Sequence, residues 1–340
     1  MSSVPRRGAD LRPVFVVALL CTLVFPTSCA QIDAERGWEC IAPAAAGGGW
    51  DLTCRAVAQV VRELQLAPGA MRVTNLPGAG GGIAFAHTVA QRGGDETVLV
   101  AASPATTLRL AQGQFAHLTE GDVRWVGAIG TDYGVVVVAP DAPWRSLSEL
   151  LQHWSRDPSR VAVAGGSAVG GQDHMKMMML GRAGGVEPRR MRYVPFDGGG
   201  EALTVLLGGF VEVLSTDASQ VISHVEAGTL RVLAVLAPER VGGNLAAIPT
   251  AREQGYDVDW ITWRGFYAPK DIPDARYRSW TETLRRVERS EVWARVRRSN
   301  GLDPFLLVGE DFRAFVEQQV AGFRDMSREM GLIRVAEGER

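Results

Sequence analysis

The sequence is poor in the groups that catalysis usually requires. It has only two lysines and no Gly-Lys-Ser phosphate loop, and its five histidines are scattered without metal-binding spacing. After Gly78 and Gly80, Ile83 stands where a dinucleotide fingerprint needs a third glycine. Ser167 lacks the glycine two positions later that completes a nucleophile elbow. We therefore expect a protein that is not an enzyme and that uses no cofactor and no metal.

The chain also lacks an excess of positive charge. It has 36 basic and 38 acidic residues, which gives a formal net charge of −2 at pH 7. Residues 1–30 hold three of the arginines and one of the aspartates, so the remainder carries a formal charge of −4. Nucleic acids and anionic lipids bind to basic surfaces. We expect neither as a partner, and any anion-binding site must be local.

No apolar stretch after residue 30 is long enough to span a membrane, which takes about 20 residues. The beginning of the chain is typical of a secretory signal, with early arginines, an apolar run at 14–25 and small residues at 26–30. Cleavage before Gln31 is one outcome. Lipid attachment at Cys29 is the other, although Pro26 stands where a lipoprotein signal normally has leucine. We expect residues 1–30 to be a signal peptide and the rest to be exported to the periplasm.

Cysteine is scarce as well. Apart from Cys21 and Cys29 in the predicted signal, the chain has only Cys40, in the first predicted strand, and Cys54, in the first predicted helix. Export makes a disulfide between these two possible. Two buried free thiols are the alternative, and the absence of a CxxC pair argues against a zinc or redox motif.

Glycine, in contrast, is abundant and clustered. Of the 39 glycines, many lie in four turns at 47–49, 78–82, 165–171 and 198–200, each between a predicted strand and a predicted helix. Glycine lets a ligand approach the backbone N–H groups closely, and the dipole at a helix N-terminus favours an anion. Two turns early in the chain and two later ones predict an anion held between two lobes.

The hydrophobic pattern alternates between strands and helices, which predicts an α/β fold. About 310 residues after the signal usually divide into two lobes with separate cores. Residues 129–133 and 260–266 lie on either side of a small predicted domain, and we interpret them as the two crossings between lobes. The predicted first lobe comprises 31–132 and 260–340, and the second comprises 133–259.

Several of these segments together resemble a known family. Gly-Gly-Gly-Trp-Asp at 47–51 and Asn-Leu-Pro-Gly-Ala-Gly-Gly-Gly at 75–82 resemble the first-lobe ligand loops of the substrate-binding proteins of tripartite tricarboxylate transporters. The segments at 165–174 and 193–200 resemble the second-lobe pair. The likeness continues in order to 248–255, so it covers essentially the whole chain after the signal.

The resemblance implies a periplasmic receptor with a two-lobed Venus-flytrap fold, each lobe a mixed or mostly parallel sheet flanked by helices. Such a receptor closes around a carboxylate metabolite and delivers it to a membrane permease of one small and one large subunit. The 47–51 motif resembles the branch that binds tricarboxylates such as citrate, with dicarboxylates as the alternative. We expect a monomer. A sensor that presents a bound acid to a membrane signalling partner is a second reading, and an enzyme acting on a carboxylate is a third.

Backbone amides of the first lobe are the first candidate ligand contacts. They can converge on one carboxylate, which must receive several donors when it is buried. They belong to Gly48, Gly49, Trp50, Gly78, Ala79, Gly80 and Gly81. Trp50 either stacks on the ligand or covers the loop. Asp51 either caps the first helix or contacts the ligand indirectly.

The second lobe contributes a similar set. Ser167 offers a hydroxyl. The backbone amides around it and in the next turn, including those of Gly170, Gly198 and Gly199, offer an anion-binding site. Asp217 either accepts a ligand hydroxyl or caps a helix, and Asp173 is expected to cap the helix after its turn. Arg264, on the return crossing, either faces the ligand or forms a salt bridge between the lobes. Asp197 departs from the family, since many relatives have a lysine or another non-acidic residue there.

Overall fold

The computed structural model describes residues 37–187 and 190–333, together with Met1. The predicted signal peptide after Met1, including Cys29, lies outside the described residues. None of the helices within them is long and apolar enough to cross a membrane.

The first sheet begins with three parallel strands, and each is followed by a helix. The first strand pairs with the other two, one on each side. The strands are β1 (Glu39–Ala42), β2 (Arg72–Asn75) and β3 (Val98–Ala102), and the helices are α1 (Gly49–Glu63), α2 (Gly82–Gln91) and α3 (Pro104–Ala111). β1 and β3 are buried along their whole length, as expected of parallel strands that are covered on both faces.

A long strand, β4 (Val123–Val138), continues from the first sheet into a second one. The second sheet repeats the parallel arrangement, with a central strand between two partners. Its further elements are α4 (Leu147–Arg156), β5 (Ala162–Gly165), α5 (Gln172–Ala183), β6 (Arg192–Pro195), α6 (Gly199–Leu207), β7 (Val213–Asp217), α7 (Ile222–Glu226) and β8 (Arg231–Leu236). The C-terminal half of β4 pairs antiparallel with β7 and β8.

The chain then returns to the first sheet through β9 (Ile261–Pro269). This strand pairs antiparallel with β3 and with β4, from Val123↔Pro269 to Tyr133↔Ile261. Both sheets are therefore mixed, because the crossing strands run against the parallel strands beside them. The predicted crossing 129–133 lies on β4, and the predicted crossing 260–266 lies on β9 except for its first residue.

The C-terminal part is helical and contacts both cores. It consists of α8 (Asp274–Glu288), α9 (Glu291–Ser299), the short strand β10 (Leu307–Val308) and α10 (Glu310–Glu329). Phe312 on α10 packs in the core of the first sheet, whereas Phe323 stacks on Trp260 at the second core, with 5.5 Å between ring centroids. Helix α10 therefore connects the two halves of the molecule on the side of β4 and β9.

Cys40 on β1 and Cys54 on α1 form a disulfide, with 5.6 Å between their Cα atoms. Both side chains are fully buried in the core of the first sheet. Of the two alternatives left open by the sequence, the structure has the disulfide. It encloses the first glycine turn in a covalent loop.

Candidate functional site: a cleft between two glycine-rich walls

The glycine turns of both sheets meet at one cavity of about 160 Å³. They lie there because each follows the carboxyl end of a parallel strand, the edge at which open α/β sheets bind ligands. Most of the predicted ligand contacts line this cavity. These are Gly48, Gly49, Trp50, Gly78, Ala79 and Gly80 from the first sheet, Ser167, Gly198, Gly199 and Asp217 from the second, and Arg264 from β9.

Helix α1 begins at the cavity without a side-chain cap. Its N-cap residue is Gly48, so the first amides of the helix are not occupied by a side chain of that residue. Gly49 also allows a close approach, since a Cβ atom there would lie 2.5 Å from Arg264 Nη1. The N-terminus of α1 thus offers unoccupied donors and a positive dipole end beside a guanidinium group.

Trp50 covers the neighbouring turn of the first sheet. Its indole Nε1 donates to Ser103 Oγ at 3.1 Å, and its ring lies next to Gly81. The Gly81 amide donates to Gly78 O at 3.1 Å, and Gly81 does not line the cavity. Gly81 was predicted as a ligand contact, but its N–H is already hydrogen-bonded within the turn, so it is removed from the candidate contacts.

Asp51 has a different position from the one expected. The helix begins at Gly49 with Gly48 at the cap, so Asp51 is in its first turn rather than at the cap. Its carboxylate accepts from the Gly47 amide, from Asn75 Nδ2 and from Arg55 Nε, each at 2.9 Å. Burial would raise the pKa of Asp51, but these donors lower it. Asp51 braces the glycine turn from behind and does not line the cavity.

The turns of the second sheet pack directly on each other. A Cβ atom on Gly166 would lie 2.4 Å from the amide nitrogen of Gly199, so only glycine fits at this position. Helix α6 begins at Gly198, again without a side-chain cap. The N-terminus of α6 therefore faces the cavity from the opposite wall to that of α1.

The turn before α5 does not offer the Gly170 amide that was predicted to bind an anion. The Gly170 amide donates to His174 Nδ1 at 3.0 Å, and Gly170 does not line the cavity. The cap position of α5 is taken by Gly171 and not by Asp173, whose amide donates to Ser167 Oγ at 3.0 Å. His174 is buried, and burial lowers its pKa to about 4. The neutral ring is what allows Nδ1 to accept.

Five buried charged side chains connect the crossing strands to the second sheet. Arg264 Nη2 donates to Asp132 Oδ2 at 2.5 Å and to Asp217 Oδ2 at 3.2 Å. Lys176 Nζ donates to Asp217 Oδ1 at 2.6 Å and to Asp173 Oδ1 at 2.9 Å. Burial raises the pKa of Asp132 and of Asp173. Burial acts the same way on Asp217, but Lys176 and Arg264 bring its pKa below the ordinary value.

This network bears on the alternatives left open for two residues: ligand contact or salt bridge for Arg264, and ligand contact or helix cap for Asp217. Arg264 forms the predicted salt bridge between elements, and its guanidinium group also lines the cavity. Asp217 makes no capping hydrogen bond with its side chain. A ligand contact by either residue stays a prediction.

Arg109 is a cavity residue that the sequence reasoning missed. It lies on α3, packs against Gly80 and reaches the second sheet, where Nη1 is 3.4 Å from Val169 O. Its other partners are the side-chain oxygens of Gln112 and Gln114, and its Nε has no partner although it is buried. Burial lowers its pKa. Among the described residues, no carboxylate pairs with it.

The signal for Arg109 was present but weak. Ser103 and Pro104 form a helix start, with Ser103 Oγ accepting from the Ala105 amide and Pro104 at the first helical position. That start would have predicted α3 and placed Arg109 near the carboxyl end of β3. Within the described ranges, no group of three or more histidine, cysteine, aspartate or glutamate side chains could hold a metal ion.

Comparison with known proteins now identifies the fold and the family. The sequence profile of the family described as "Tripartite tricarboxylate transporter family receptor" matches residues 54–332. The chain belongs to this receptor family. Protein BugT of Bordetella pertussis is 26% identical over 308 residues, which cover 89% of this chain and 91% of BugT.

Solved structures show the same fold. The periplasmic binding protein BugD superposes with a TM-score of 0.78 at 21% identity, covering 88% of this chain and 98% of BugD. MatC of Rhodopseudomonas palustris, solved with bound malate, superposes with a TM-score of 0.74 at 21% identity, covering 85% of this chain and 98% of MatC. The predicted α/β two-lobed fold is confirmed. As a member of the family, the chain is a periplasmic solute-binding receptor and not an enzyme.

Proposed function

We propose that the cleft holds a small carboxylate metabolite and that the receptor delivers it to a permease of one small and one large membrane subunit. The observation that carries this proposal is the pair of helix N-termini, α1 and α6, that face one cavity from opposite walls without side-chain caps. Backbone amides do not titrate and are held in place by the helices, so they suit reversible binding of an anion. The cavity volume of about 160 Å³ is below the range of drug-sized sites, which favours a metabolite of few atoms.

The two crossing strands supply the hinge in this proposal. Strand β4 pairs in both sheets, and β9 runs antiparallel beside its first-sheet part, so we place the lobes at 31–132 with 260–340 and at 133–259. A ligand that contacts both walls stabilises the closed form. The free energy of unfolding should then rise by RT ln(1 + [L]/Kd), about 2.7 kcal/mol at a hundredfold excess over Kd.

Export completes the proposal. Residues 1–30 act as the signal peptide, with cleavage before Gln31, and the mature receptor works as a monomer in the periplasm. An oxidising compartment agrees with the Cys40–Cys54 disulfide.

Calorimetric titration of residues 31–340 tests the proposal. The protein is unfolded to remove any carried ligand and refolded under oxidising conditions, so that the Cys40–Cys54 bond forms again. Citrate, dicarboxylates and monocarboxylates are then injected in turn. Saturable binding of at least one acid with micromolar Kd or tighter supports a carboxylate receptor, and silence across the panel contradicts it.

A matched pair of variants locates the binding. A Cβ atom at Gly198 would meet no protein atom within 4 Å, so we expect Gly198→Val to fold and to obstruct the cavity. Gly69→Val is the control, because Gly69 is equally open and does not line the cavity. We expect binding to be lost in the first variant and retained in the second. Equal affinity in both would place the ligand elsewhere.

A further inference from the structure

Two opposite charges line the cavity without pairing with each other. Arg109 faces it from the first sheet, and Asp197 faces it from the turn before α6. Asp197 makes no hydrogen bond or ion pair with any described residue, and no described carboxylate pairs with Arg109. The cavity therefore has a cationic wall and an anionic wall, each with unused hydrogen-bonding capacity.

The other charges at the cavity are already compensated. Arg264 is bound to Asp132 and Asp217, and Lys176 is bound to Asp217 and Asp173. Each of the two cations already has two carboxylate partners, so neither is left without a countercharge. Arg109 is consequently the one cation lining the cavity, among the described residues, that is without a carboxylate partner.

An anionic ligand group is needed most at Arg109. Its Nε is buried without a partner, and a buried polar group without a hydrogen bond is costly. A carboxylate there would supply an acceptor and a countercharge at once. A second carboxylate at Asp197 would instead meet a like charge, which is unfavourable, whereas a hydroxyl or ammonium group would donate to it.

We propose that the site selects an acid with one carboxylate bound by Arg109 and a hydrogen-bond donor, hydroxyl or ammonium, bound by Asp197. This inference rests on the proposed function, and it narrows the ligand class. It disfavours citrate, because a second carboxylate of that ligand would meet the like charge of Asp197. Arg109 and Asp197 are then specificity residues on opposite lobes, and both contacts form only when the lobes are together.

Matched acids test the proposal directly. Propanoate, lactate and alanine share one carbon skeleton and differ in the substituent at carbon 2, and so do succinate, malate and aspartate. Titrated into the refolded protein, the donor-bearing members of whichever series binds should be at least tenfold tighter than the donor-free member. Citrate and tricarballylate complete the panel, and both should bind more weakly than the best donor-bearing acid.

Variants then assign the contacts. Asp197 is exposed and without a described partner, so Asp197→Asn should fold normally and reduce the preference for donor-bearing acids roughly tenfold. Asp141→Asn is the control, an exposed aspartate that does not line the cavity, and its preference should be unchanged. Arg109→Gln should weaken every acid at least tenfold, and Arg109→Lys should recover part of the loss because it restores the charge.

The outcomes separate this inference from the function on which it rests. If the donor-free acid binds as tightly as its analogues, or if Asp197→Asn leaves the preference intact, the inference is wrong and the carboxylate receptor stands. Tightest binding by citrate or tricarballylate has the same meaning. If no acid binds the wild-type protein, both the receptor proposal and this inference are overturned.

Discussion

Reducing the Cys40–Cys54 disulfide should destabilise the first lobe without rearranging it. The bond joins β1 to α1, and both sulfur atoms lie in a fully buried core with Trp38 and Trp280. Reduction removes no sulfur atom from the core, so the packing of the folded state changes only by the local separation of the two thiols. Its effect falls on the unfolded chain, which gains the freedom that the cross-link had removed.

The length of the loop sets the expected magnitude. The two cysteines are separated by 14 positions in the sequence. In the chain-entropy description, closing a loop of about 15 residues is worth about 3 kcal/mol at 25 °C. Replacing both cysteines with alanine should cost more than reduction, because the removal of two buried sulfur atoms also leaves a small cavity.

Urea unfolding with and without dithiothreitol measures this difference, with mass spectrometry to verify that the thiols are free. We expect the free energy of unfolding to fall by about 3 kcal/mol on reduction. The Cys40→Ala/Cys54→Ala variant is the control, since dithiothreitol should have no effect on it. An unchanged free energy for the fully reduced wild type would refute the reasoning, because it would mean that the cross-link does not restrict the unfolded chain.

Three further predictions follow from the site and its supports. Gly166→Ala should destabilise the protein by about 1–3 kcal/mol and weaken ligand binding, because its Cβ would clash with the backbone of Gly199. Gly200→Ala is the control: a Cβ there meets nothing within 4 Å, so stability and binding should be unchanged in the same melting and titration series. His174 should make the free energy of unfolding depend on pH, because burial lowers its pKa from the ordinary 6.5 to about 4. As pH falls from 6.5 to 4, the unfolded chain binds the proton before the folded one does. The free energy of unfolding should therefore fall by on the order of 3 kcal/mol over this range. His174→Asn should flatten that part of the profile, and an unaltered slope would show that another group is responsible. Burial would raise the pKa of Glu39, but hydrogen bonds from Thr74, Arg92 and Arg72 lower it. Glu39→Gln should therefore lower the free energy of unfolding by about 2 kcal/mol at pH 7. In urea unfolding, the difference from wild type should shrink as pH falls below 4.5, and a difference that is constant with pH would contradict the assignment.

Local sequence patterns were sufficient for much of the fold. Helix α2 and strand β6, at Gly82–Gln91 and Arg192–Pro195, are examples. Both stand next to glycine turns, where the change from extended to helical backbone is marked by the composition itself. The same turns predicted which ends of the strands would face the ligand, since the edge is a property of the parallel arrangement.

The sequence did not predict every helix start, nor the full length of the long strand β4. Helix α3 was not predicted, and with it Arg109 was missed, because its start depends on Ser103 and Pro104 rather than on a glycine turn. Only parts of β4 were predicted, since a strand that serves two sheets has no single pattern of burial along its length. Asp173 was expected to be a cap, and a cap was one of two alternatives for Asp51, but each helix begins before them and glycine takes the cap position.

The sequence by itself determined the receptor family, the two-lobed α/β fold and the glycine turns that bring backbone donors to a cleft. These are local features, carried by residues within a few positions of one another. The tertiary structure alone decided the pairing of charges, such as Arg264 with Asp132, which are 132 positions apart. It also decided that Arg109 and Asp197 face one cavity without a partner of opposite charge, because the distances between groups remote in sequence are set only when the two sheets pack around β4 and β9.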